Sequence, residues 1–170
     1  MPRVVGIVAL LVVLAACDTT TVKTVASPSP IITQGTWNQT LTFKGDVNGS
    51  MTGIVPDNPP QISACTGSRT HNGETWSDTF YGTVDSSGAV WGVVFLVDNF
   101  RGPGTYLNQD VTVEMHSPDT TRVWSSADGG KVTFLVARNQ QSGTVDATLT
   151  SAQTGKAGSE HIYGSWNCRG

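Results

Sequence analysis

The chain has 170 residues with 10 basic and 13 acidic side chains, a formal net charge of −3, and 38% hydrophobic residues. The basic residues are scattered singly along it, which excludes the clustered basic face that nucleic-acid phosphates require. After the first 16 residues no further apolar run approaches the ~20 residues that a membrane-spanning helix needs.

The chain opens with Met1-Pro2-Arg3, continues with an apolar stretch from Val4 to Leu14, and closes that stretch with Ala15-Ala16. A basic start, an apolar segment of roughly 7 to 15 residues and small residues at a cleavage point are the parts of a secretory signal. The run Leu14-Ala15-Ala16-Cys17 resembles the cleavage signal of the bacterial lipoproteins. The resemblance implies that residues 1–16 are removed as a signal peptide and that the Cys17 thiol carries lipid, palmitate among its acyl chains. Each buried methylene adds about 0.8 kcal/mol to membrane binding, and two or more chains hold firmly. The expected location is therefore the cell membrane, lipid-anchored on the extracytoplasmic side, with the membrane as the first partner.

Lipid on Cys17 accounts for one of three cysteines and leaves Cys65 and Cys168. Export places them in an oxidising environment, so a Cys65–Cys168 disulfide is expected. Closing a loop of about 100 residues is worth roughly 4 to 5 kcal/mol on the chain-entropy model.

Residues 17–34 are rich in Thr, Ser and Pro, with Ser27-Pro28-Ser29-Pro30 at their centre. Such a composition buries too little apolar area to offset its ordering entropy, so a disordered tether is expected. Residues 35–170 suit one domain. Removal of the signal leaves 9 basic residues against 13 acidic ones.

That domain shows period-two alternation and no helical periodicity. Strands are expected near 35–43, 46–55, 75–84, 89–98, 111–117, 121–125, 130–138, 142–151 and 159–168. Trp37, Leu41 and Phe43 share one face of the first. In 89–98, Trp91, Val93, Phe95 and Val97 line one face while Val94 and Leu96 occupy the other, which marks a central strand. Turn residues separate the runs at Lys44-Gly45-Asp46, Asn48-Gly49, Asp85-Ser86-Ser87-Gly88 and Asp128-Gly129-Gly130. Pro56 to His71 is the longest irregular stretch, and Arg101-Gly102-Pro103-Gly104 forms a rigid corner. The expected fold is an all-β antiparallel sandwich, with a closed barrel as the alternative. The expected core comprises Trp37, Leu41, Phe43, Trp91, Val93, Phe95, Val113, Phe134, Val136, Leu149, Ile162 and Trp166.

The sequence carries no nucleophile-elbow or Ser-x-x-Lys motif, so hydrolysis is a minor alternative. His71, His116 and His161 have neither a histidine nor a cysteine within three to five residues, and no metal site or cofactor is expected. Asp46-Val47-Asn48-Gly49-Ser50 lacks the glycine and glutamate spacing of a calcium loop and fits a tight turn. Trp76, beside Glu74 and Asp78, and Trp124, between Val123 and Ser125, are the candidates for exposed ligand-contacting rings. Gly35-Thr36-Trp37, followed by a hairpin and Thr52-Gly53, resembles the Gly-x-Trp opening of the calycins, a group of ligand-binding barrels. That resemblance implies a barrel holding a small apolar molecule. The main expectation is a non-catalytic domain that binds a protein, a glycan or a small apolar ligand, or serves as a component of the cell envelope.

Overall fold

A computed structural model describes residues 39–56, 58–65, 74–151 and 157–168, all within a compact unit Thr33–Gly170. The signal segment 1–16, Cys17, the tether, the Gly35-Thr36-Trp37 opening and His71 lie outside the described residues. No helix occurs among the described residues. The strands are β1 (Thr40–Gly45), β2 (Gly49–Thr52), β3 (Ala64–Cys65), β4 (Glu74–Thr83), β5 (Val90–Phe100), β6 (Gly104–Leu107), β7 (Val111–His116), β8 (Val123–Ser125), β9 (Lys131–Val136), β10 (Ser142–Ser151) and β11 (Ser159–Asn167).

The fold is all-β and antiparallel. Its strands form one hydrogen-bonded sheet in the order β2-β1-β11-β10-β8-β7-β5-β4-β3, with β9 between β10 and β6 beside that path. The sheet curls, so the two layers that bury each other's apolar faces are opposite walls of a single sheet. Many consecutive strands pair, β6 being an exception that pairs with β9, and the first strand pairs with the last through Thr40↔Ser165 to Gly45↔Glu160. Between the two ends of the path no continuous ladder forms. Ser50 N–H donates to Val84 O at 3.0 Å and Val55 N–H to Tyr81 O at 2.8 Å, which holds the β2 flank against β4.

The chain from Gly104 to Val136 is a long hairpin bent in the middle. From Leu107↔Thr133 to Glu114↔Ser125 the returning strand uses one residue more than its partner, as a bulge does when it bends a sheet. The bend is fixed by side chains where ladder bonds lapse. Asn108 donates through Nδ2 to Gly130 O at 3.1 Å and accepts Val132 N–H through Oδ1 at 2.6 Å. Ser126 Oγ accepts Val113 N–H at 2.9 Å.

Alternation sends one face of each strand inward. Phe95, Phe134 and Trp166 fill the curl together with Trp76, Phe80, Phe100 and Tyr106. Phe134 and Trp166 stack at 5.3 Å with 1° between their planes, and Trp76 lies 5.1 Å from Trp166. Every expected core residue among those described is buried, except that Trp91 is half-buried against the core. The second apolar face of β5 marks no deeper burial: Val94 and Leu96 point outward and stay half-buried, and β5 lies toward one end of the path with β4 and β7 on its two edges. Two strands had no counterpart in the sequence reading. These are β3, with two residues, and β6, which follows the Arg101-Gly102-Pro103 corner.

Glycine sets how near β2 comes to β4. A Cβ on Gly49 would stand 2.1 Å from Val84 O, a backbone atom that cannot step aside. Gly49→Ala is expected to push the two flanks apart and cost about 1 to 3 kcal/mol, as overpacking does. A lower urea midpoint together with faster hydrogen exchange at the Ser50 amide would show it.

Candidate functional site

A groove of about 430 Å³ crosses the outer wall of the sheet over β4, β5 and β7. Its floor follows from register. Tyr81, Gly92 and His116 form one cross-strand row, and Thr79, Val94 and Glu114 the next. The Tyr81 ring lies over Gly92, where an added Cβ would meet Tyr81 Cε1 at 3.1 Å; a glycine beside an aromatic cross-strand partner leaves room for the ring to cover it.

Both rims are stiff. On one side Asn58 and Gln61 exchange backbone bonds of 3.0 and 2.7 Å and present Pro60 and Gln61 to the groove. On the other, Asp119 organises the Ser117–Thr121 turn. It accepts from Ser117 Oγ at 2.6 Å and from Thr121 N–H at 3.1 Å. These bonds, the one from Ser117 foremost, hold its carboxyl below the usual range. Ser117 Oγ also accepts Arg122 N–H at 3.0 Å.

The groove's hydroxyl and imidazole are thus committed to structure. His116 Nε2 pairs with Glu114 Oε2 at 3.1 Å, an exposed contact of small energetic weight. Ser117 Oγ donates to Asp119 Oδ1 and does not contact the imidazole. The arrangement suits non-covalent binding by an apolar floor with polar rims.

Trp76 and Trp124 do not furnish the exposed aromatic contacts expected of them. Both are 0% exposed. Trp76 stands inside the aromatic cluster, and the Trp124 Nε1–H donates to Asp46 Oδ2 at 2.9 Å. The same Asp46 oxygen accepts from Arg122 Nη2 at 2.8 Å, and the guanidinium lies 4.3 Å from the centre of the Trp124 ring. The turn at Asp46 therefore serves as a clamp between the first hairpin and β8. His161 sits on the exposed face of β11, with Nε2 2.9 Å from Asp146 Oδ1.

Cys65 and Cys168 are joined, their Cα atoms 6.0 Å apart. Beneath the bond lies a residue the sequence reading passed over. Asp78 is 0% exposed, its Oδ1 is 3.3 Å from Cys168 Sγ, and its Oδ2 has no hydrogen-bond partner among the described residues. Burial alone pushes its carboxyl well above the ordinary value, because a charge without a partner is costly in an apolar interior. Burial thus favours the protonated carboxyl, which in that form can donate to sulfur. The donor atoms of Cys65, Asp78 and Cys168 lie within 4.8 Å of one another. With the bond closed the sulfurs are not the thiolates that metals need.

No protein-family model, no curated protein and no solved structure matches this chain.

A carboxyl that titrates higher when folded binds its proton more tightly in the native state. Its contribution to stability is full below the unfolded value of about 3.9 and is lost as pH rises through the folded one. Asp78→Asn is expected to remove that decline, so that its stability advantage over the parent grows from acid to neutral pH. Melting temperatures of the two oxidised proteins across that range measure the difference.

Proposed function

We propose that this chain is a lipid-anchored extracytoplasmic bacterial lipoprotein whose β domain acts without bond-making chemistry, by binding a glycan or peptide segment of the cell envelope across the outer groove. The groove over Thr79, Tyr81, Val94 and His116 carries the reading: an outward strand face there is largely apolar, concave and flanked by polar rims. The interior offers no comparable support for a carried apolar molecule, because seven aromatic side chains occupy the centre of the curl. The anchor rests on Leu14-Ala15-Ala16-Cys17, and the disulfide accords with the oxidising side of a membrane.

The groove is tested by amide NMR titration of the folded chain with envelope glycans and with peptides from envelope proteins. Shift changes confined to Thr79, Tyr81, Gly92, Val94 and His116, and lost in Val94→Arg, are expected. Saturable changes centred elsewhere would move the site.

The anchor is tested separately in a bacterium that processes lipoproteins. The unsubstituted chain is expected to take up a labelled fatty acid and to sediment with membranes, whereas Cys17→Ala does neither. Label retained by Cys17→Ala would overturn the assignment.

A further inference from the structure

The contact between Asp78 and the disulfide is not required by binding at the groove, and it is chemically specific. A carboxyl fully removed from solvent has one oxygen 3.3 Å from Cys168 Sγ and the other without a partner among the described residues. An isosteric apolar residue would fill the same space without the cost of burying a polar group. Both cysteines are half-buried, whereas Asp78 is fully buried beside the bond. Among the described residues the titratable groups clustered with the carboxyl are the two sulfurs, one from β3 and one just beyond β11. Its partner across β5 is Phe95.

We propose that Cys65–Cys168 is an exchangeable disulfide, opened by a dithiol reductant that attacks Cys65, with Asp78 as the acid that protonates Cys168 as it leaves. The reductant thiolate forms a bond to Cys65 Sγ and the Cys65–Cys168 bond breaks. Its electron pair passes to Cys168 Sγ, which takes the Asp78 proton and becomes a thiol, while Asp78 recovers a proton from solvent. The second thiol of the reductant, as thiolate, then attacks the reductant sulfur of the mixed disulfide. Cys65 departs as thiolate and is protonated from solvent; the dithiol is oxidised to its disulfide and the protein bond is reduced to two thiols. Exchange is faster the more stable the leaving thiolate, and a proton delivered to Cys168 supplies that stability where burial denies it water. Among the described residues no such contact reaches Cys65 Sγ within hydrogen-bond distance, and this asymmetry sets the direction of attack.

The test uses the full chain carrying Cys17→Ser, so that Cys65 and Cys168 are the only cysteine sulfurs. Its reduction by dithiothreitol is followed from mildly acid to alkaline pH, each rate divided by the concentration of reductant thiolate. The normalised rate is expected to be level while Asp78 holds its proton and to fall as it is lost. The same chain with Asp78→Asn is expected to be roughly tenfold slower or more at neutral pH, and level throughout. Equal rates and profiles would overturn the proposal. A second measurement leaves Asp78 in place and so does not depend on how Asp78→Asn folds: glutathione with an alkylating quench, followed by peptide mass analysis. Glutathione on Cys65 with alkylated Cys168 is expected, and the reverse labelling would overturn the assigned direction.

Discussion

The covalent tie between Cys65 and Cys168 governs this fold because of where it falls on the sheet path. β3 is the last strand at one end, while β11 stands third from the other, after β2 and β1. The bond spans a sequence separation of 103 residues and ties the β3 end of the path to the C-terminus of β11, across a gap that no ladder closes among the described residues. Apart from the bond, the gap is bridged by the Ser50 and Val55 backbone contacts. Strand pairing adds a demand of the same kind, since β1 meets β11 across nearly the whole domain. Contacts so distant in sequence carry a large closure entropy, and a cross-link between the ends reduces it in the unfolded chain.

The interior follows from the closure. Walls held at this separation leave a space that Phe95, Phe134, Trp76 and Trp166 fill ring against ring, with centroids 5.1 to 6.4 Å apart. Aromatic pairs at such distances contribute beyond the area they bury. The centre is filled, and the outward face of β5 carries Val94 in the floor of the groove.

Much of this was legible locally. The β10 alternation of Val145, Ala147 and Leu149 against Thr144, Asp146 and Thr148 fixes both the strand and its buried face, and its bounds agree with the expected 142–151. Short elements left no such mark. β3 has two residues, too few to show a period, and β6 begins within a glycine and proline corner that reads as a turn. The tryptophans misled for a physical reason. Asp78 shares the inward face of β4 with Trp76, and a charged letter there makes the face look wet, although burial pushes the carboxyl well above its ordinary value. Trp124 looked polar by its neighbours, while its partner Asp46 lies 78 positions away. Asp78 itself was invisible as a functional residue, because its significance comes from Cys168, 90 positions distant.

One strand joins the two features that matter most for function. β4 turns Thr79 and Tyr81 outward to the groove and Asp78 and Phe80 inward to the disulfide and the core. The segment that supplies the rim residues Pro60 and Gln61 runs directly into β3, which has only two ladder pairs, Ala64↔Thr79 and Cys65↔Asp78. The Tyr81 N–H bond to Ser63 Oγ at 3.0 Å and the disulfide are among the contacts that hold it. Opening the bond would remove the covalent tie and leave the rim to contacts worth about 1 kcal/mol each. Local opening is easiest where few contacts hold a segment. Thiol exchange at Cys65 would therefore be felt first at the Pro60-Gln61 rim, while the Ser117–Thr121 rim keeps its own bonds.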